Sequence, residues 1–102
     1  MIQSHSKGDE MIEVNEYFHG NVKSLGPETL GQRFTVGVIL PGFYEFSTGL
    51  KELMEVTHGA IEVEYAGHDI TTYCKGESFS VPENTAFTAR ALEVSSYICY
   101  YG

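Results

Sequence analysis

The sequence predicts an all-β, single-domain fold, a closed barrel or double-sheet jelly roll built from roughly eight or nine short antiparallel strands. Three observations carry this prediction. The 102 residues suffice for one domain with a sizeable core. Glycine or proline punctuates the chain at Gly20, Gly26-Pro27, Gly31, Pro41-Gly42, Gly49, Gly59, Gly67, Gly76 and Pro82, and the runs between are rich in Val, Ile, Tyr, Phe and Thr. Many of those runs alternate apolar with polar residues, the period of a half-buried strand. With no obvious protection of sheet edges, closure is the economical way to satisfy them.

Residues 1–10 are polar, mixed in charge and aperiodic, and are expected to form a flexible N-terminal extension ahead of a domain spanning 11–102. In 33–40, Phe34, Val36, Val38 and Leu40 share one side, expected to face inward, with Arg33, Thr35, Gly37 and Ile39 opposite. In 43–48, Tyr44, Phe46 and Thr48 are expected inward. Segment 49–56 is short and approaches a β-branched pair, so a turn feeding a strand is preferred to a helix. Ile61, Val63 and Tyr65 are expected inward and Glu62 and Glu64 outward. Phe79 and Val81 lead to Pro82, after which Phe87, Ala89 and Ala91 alternate with Thr88 and Arg90. The last run, 94–101, carries bulky groups on both faces, which suits a sheet whose outer side packs on a second subunit.

Charge narrows the partners. Lysine and arginine number 6 against 14 acids, a formal net charge of -8, so duplex nucleic acid and anionic membrane surfaces are repelled at long range. An anion can bind only locally. No apolar run approaches the roughly 20 residues that span a bilayer. The residues before Met11 lack the apolar stretch of a leader, so Cys74 and Cys99 are expected as free thiols in a reducing cytoplasm.

The four histidines, His5, His19, His58 and His68, show no metal-ligand spacing, and each has a plain structural reading beside a turn or in the extension. No nucleophile elbow, phosphate-binding glycine loop or dinucleotide glycine pattern occurs. Cys99 reads as a small buried apolar residue. Glu52 is different, because it shares parity with Met54 and Val56 while Glu55 lies with Leu53 and Thr57. An inward carboxylate is costly unless it is hydrogen-bonded, paired or wet. Either Glu52 stands at the mouth of the strand and reaches solvent, or it lines a pocket with Thr48 and Tyr44.

The opening NEYFHGNVKS, at 15–24, begins an ordered series. Val36-Gly37-Val38, Gly42-x-Tyr44-x-Phe46-x-Thr48, Glu52-x-Met54-x-Val56-x-x-Gly59, Phe79-x-Val81-Pro82 and Tyr97-x-Cys99-x-Tyr101 follow it. This series resembles the pyrimidine/purine nucleoside phosphorylase family of small cupins. Against the general cupin pattern, the first motif keeps Glu52 and Gly59, while its histidines fall on Phe46 and Thr48. The second runs from Gly76 to Pro82, and its histidine falls on Phe87. One carboxylate among phenylalanines is too few ligands for a tight transition-metal centre.

The resemblance implies a cupin jelly-roll barrel that cleaves purine and pyrimidine nucleosides with inorganic phosphate. It implies no metal, no cofactor and a homodimer. It gives Glu52 the catalytic position and offers Tyr44, Phe46, Thr48 and Phe87 as substrate contacts. For phosphate, Lys23 of the VKS motif is the first candidate and Arg33 the second, although parity with Thr35 and Gly37 points Arg33 away from the Phe34 and Val36 face, so that it acts across a subunit boundary or not at all. A non-catalytic cupin that binds a sugar or nucleoside is the competing expectation.

Overall fold

Wherever glycine or proline interrupts an alternating run, a strand ends. A computed structural model describes residues 12–27 and 33–102. The extension expected at 1–10 lies outside the described residues. Ten strands form: β1 Ile12–Tyr17, β2 Val22–Pro27, β3 Phe34–Ile39, β4 Gly42–Ser47, β5 Glu52–His58, β6 Ala60–Tyr65, β7 Thr71–Cys74, β8 Ser78–Val81, β9 Ala86–Ala91 and β10 Ser95–Tyr101. Among the described residues the one helical element is a 3-10 turn, Phe18–Gly20, so segment 49–56 is indeed a turn and a strand.

The strands make two antiparallel sheets, one ordered β1-β2-β3-β10-β5-β8 and the other β4-β9-β6-β7. No ladder joins them among the described residues, so this is the double-sheet form of the jelly roll. Between the sheets lies a core that includes Val22, Ile39, Val56, Ile61, Val81 and Cys99. Alternation placed most of it, including inward Tyr44, Val63, Phe79, Phe87 and Ala89.

The expectation for β3 is reversed. Ile39 is 2% exposed, whereas Val36 and Val38 are 44% and 50% exposed, and Phe34 and Leu40 lie on the same outer side. The cause is Gly37, which faces Tyr97 across the β3–β10 ladder and whose missing side chain leaves room for the Tyr97 ring. A Cβ on Gly37 would collide with that ring. The inner face of β3 is therefore Thr35, Gly37 and Ile39, and Arg33 just ahead of the strand shares that parity.

Two polar side chains fasten the ends of the sheets. Ser95, 1% exposed, accepts a hydrogen bond from the Ala60 amide at 3.1 Å, and Gly59 beside it has φ +84°. A Cβ there would run into Ser95, so the corner needs glycine on both conformational and steric grounds. At the opposite corner Thr48 Oγ1 donates to the Pro82 carbonyl at 2.6 Å and accepts from the Thr85 amide at 2.9 Å. Replacing it by the isosteric Thr48→Val leaves both groups unanswered and is expected to cost about 1–3 kcal/mol in chemical denaturation. Wild-type stability in that variant would remove Thr48 from the scaffold.

Candidate functional site

β5 pairs with β10 so that Glu52 opposes Tyr101, Met54 opposes Cys99 and Val56 opposes Tyr97. Opposed residues share a face, and here it is the inner one. Glu52 is thus carried into the space between the sheets with three β10 side chains around it. The second sheet supplies Phe46 from β4 and Phe87 from β9, paired across their ladder and stacked with centroids 5.5 Å apart. Tyr17, at the end of β1, meets Phe46 edge-on at 6.3 Å. Together these groups bound a recess with a cavity volume of about 130 Å³, lined also by Ser24, Met54, Phe79 and Tyr97.

The recess is apolar with a few polar groups directed into it, the usual composition of a small-molecule site. Cys99 donates its thiol hydrogen to Glu52 Oε1, with sulfur and oxygen 3.4 Å apart. Burial raises the Glu52 carboxyl above the ordinary carboxylate range, and the thiol bond pulls it partly back. Burial also pushes the Cys99 thiol well up, with the Glu52 charge adding to the effect, so the sulfur stays protonated and serves as a donor. Tyr97 and Tyr101 are raised by burial as well, and both keep their phenolic protons. Thr35 and Tyr101 hydroxyls meet at 3.0 Å on the rim.

Of the residues singled out in the sequence, Glu52, Phe46 and Phe87 come together in this recess. Two others do not line it. Tyr44 spends its hydroxyl on the Leu40 carbonyl at 2.9 Å, and Thr48 bonds to the Pro82 carbonyl and Thr85 amide, so both hold the scaffold. Lys23 is also displaced, because β2 turns it to the outer side of the large sheet, where Nζ lies 3.2 Å from Glu16. Arg33 stands at the rim, with its guanidinium 5.5 Å above the Tyr101 ring centroid. Tyr17, Ser24, Tyr97 and Tyr101 were missed as site residues. The motifs quoted above contain all four, but parity could not choose a face for β10 because both of its faces are bulky.

Phe46 and Phe87 occupy positions where the general cupin pattern places imidazoles, and neither can ligate a metal. Among the described residues no three His, Cys, Asp or Glu side chains converge as a metal cluster.

Comparison with known proteins gives a consistent picture. A family model for pyrimidine/purine nucleoside phosphorylase matches residues 12–101. A relative from Tolumonas auensis bearing that name is 47% identical over 92 residues, covering 89% of this chain and 99% of its own. The crystal structure of a protein of unknown function from Vibrio parahaemolyticus is 45% identical with a TM-score of 0.84, covering 90% of this chain and 99% of that one. An RmlC-like cupin from Shewanella frigidimarina superimposes with a TM-score of 0.72 at 18% identity, over 98% of this chain and 90% of the other, a likeness of fold alone. The jelly roll is therefore of cupin type.

The raised Glu52 carboxyl has a measurable consequence. Folding binds its proton more tightly than the unfolded chain does, so its stabilising contribution is full below the ordinary carboxylate pKa and is lost as pH rises through the folded value. The neutral Glu52→Gln variant escapes that loss. Its Tm is expected to exceed that of the wild type at pH about 7, with the gap narrowing as pH falls toward about 4. Thermal melts across that range test this, and a gap that does not change with pH would contradict it.

Proposed function

The chain belongs to the pyrimidine/purine nucleoside phosphorylase family, and on that premise we propose that it catalyses phosphorolysis of purine and pyrimidine nucleosides, without metal or cofactor. The observation that carries this reading is the Glu52 carboxylate held on the inner face among aromatic rings, beside a recess open at the Tyr17 and Tyr101 rim. An oxygen of hydrogen phosphate forms a bond to C1′ as the bond from C1′ to the base nitrogen breaks. The electron pair of that bond leaves with the base, the phosphate proton ends on the base, and pentose 1-phosphate remains.

Such a reaction needs positioning and a tolerant field at C1′ more than it needs a nucleophile from the protein. The stacked Phe46 and Phe87 offer a face to a base or sugar. Glu52 is placed to accept hydrogen bonds from pentose hydroxyls and to offset positive charge developing at C1′. The replacement of ligand positions by phenylalanine supports chemistry that relies on this carboxylate and not on a metal.

We also read the outer face of the large sheet as a homodimer contact. Val14, Val36, Val38 and Leu25 are exposed there on adjacent strands, an apolar surface that a second copy would bury. The free thiols of Cys74 and Cys99 suit the reducing cytoplasm in which we place the enzyme.

Incubation with uridine is expected to release uracil only when phosphate is present, and Glu52→Ala is expected to lower kcat/KM by about 10²-fold with an unchanged circular dichroism spectrum. Saturable nucleoside binding without base release, across a panel of nucleosides, would instead leave a binding protein. Sedimentation velocity is expected to show a dimer that the double variant Val36→Glu, Val38→Glu converts to monomer. A wild-type monomer at micromolar concentration would refute the contact.

A further inference from the structure

We propose that the recess over Arg33, at the rim of the Glu52 pocket, is the seat of inorganic phosphate. This inference rests on the phosphorylase reading and supplies the co-substrate site which that reading leaves open.

The recess has a cavity volume of about 200 Å³, and its polar walls include Asn15, Tyr17, Arg33, Thr35 and Tyr101. Tyr17 and Tyr101 also line the Glu52 pocket, so the two spaces adjoin. An oxyanion over Arg33 is thereby next to a pentose lying between Glu52 and the aromatic rings. That adjacency is what displacement at C1′ demands.

Arg33 is oriented at the rim and, among the described residues, electrostatically available. Its carbonyl accepts from the Tyr101 amide at 3.2 Å, and its guanidinium lies over the Tyr101 ring, an arrangement that orients the planar fork. Among the described residues it makes no ion pair, whereas Lys23 is paired with Glu16 and Arg90 with Glu62. Lys51 and Lys75 line neither recess. The hydroxyls of Thr35 and Tyr101 add a donor. With 3.0 Å between them, one donates to the other and the second O–H remains free for an anion oxygen. A guanidinium fork and a hydroxyl donor on one rim match the oxygens of a phosphate dianion. Glu13 also borders the recess, and its charge opposes an anion, so affinity reflects the balance of Arg33 against Glu13.

Isothermal titration of inorganic phosphate into the full chain, alone and with an unreactive nucleoside analogue present, tests the seat apart from turnover. Wild-type protein is expected to bind phosphate, with affinity falling as salt rises. Arg33→Gln should weaken binding by about tenfold or more, the loss typical of a charge-assisted pair. Arg33→Lys should restore part of it, Glu13→Gln should strengthen it, and Lys23→Gln should leave it unchanged. Wild-type affinity in Arg33→Gln, or no uptake of phosphate by the wild type under either condition, would overturn the seat. Arg33 is exposed and outside the core, so loss of folding will not mask the result. If phosphate binds through Arg33 but no base is ever released, the seat stands and the phosphorylase reading falls. If base is released with an unaltered phosphate KM in Arg33→Gln, the reverse holds.

Discussion

Everything in the pocket depends on the register between β5 and β10. The ladder sets Glu52 against Tyr101 and Met54 against Cys99, and a slip of one residue would turn the carboxylate to the outside. The register shifts once, between Ser96 and Tyr97, where the bulge realigns the strands so that Tyr97 opposes Val56. Next to that bulge the corner is held by the Ser95 hydroxyl on the Ala60 amide and by the close approach of Gly59 to Ser95. The thiol bond from Cys99 to Glu52 follows from this alignment, and the Thr35–Tyr101 hydroxyl contact from the neighbouring β3–β10 ladder, which sets Thr35 against Cys99.

Within that frame the acid has been left with a particular set of neighbours. Stacked phenylalanines and protonated phenols surround a carboxylate whose one side-chain donor among the described residues is a weak thiol. Such an environment raises the free energy of the charged form, which a cationic or hydroxyl-rich ligand would relieve. On the proposed reading, the buried carboxylate whose charged form is disfavoured is also the group that gains from substrate, the usual exchange between stability and function.

Charge is arranged on a similarly local scale. A chain with net charge -8 repels polyanions as a whole, yet at the rim Arg33 stands over a tyrosine ring with no acid in salt-bridge contact among the described residues. Short-range geometry decides there, because at ordinary ionic strength exposed charges more than about 8–10 Å away are largely screened. Lys23, which shares the VKS motif, faces the other side of the large sheet and is neutralised by Glu16.

Although the choice between a closed barrel and two sheets was left to the structure, composition and two-residue alternation were enough to determine the all-β class and the inward parity of Phe46, Glu52 and Phe87, and the ordered motif series was enough to point to the family. These are properties of local backbone geometry and residue order, which the chain carries without reference to its partners in space. They could not choose the inner face of β3, where Phe34, Val36, Val38 and Leu40 looked like core. That choice was made by the Tyr97 ring, which needs the vacancy at Gly37 on the neighbouring strand. Nor could they separate Thr48 from the pocket or bring Arg33 to its rim, since the first depends on carbonyl and amide partners 34 and 37 residues away and the second on the face that Gly37 selects. Alternation says which residues share a side; only the packing of distant strands says which side is inside.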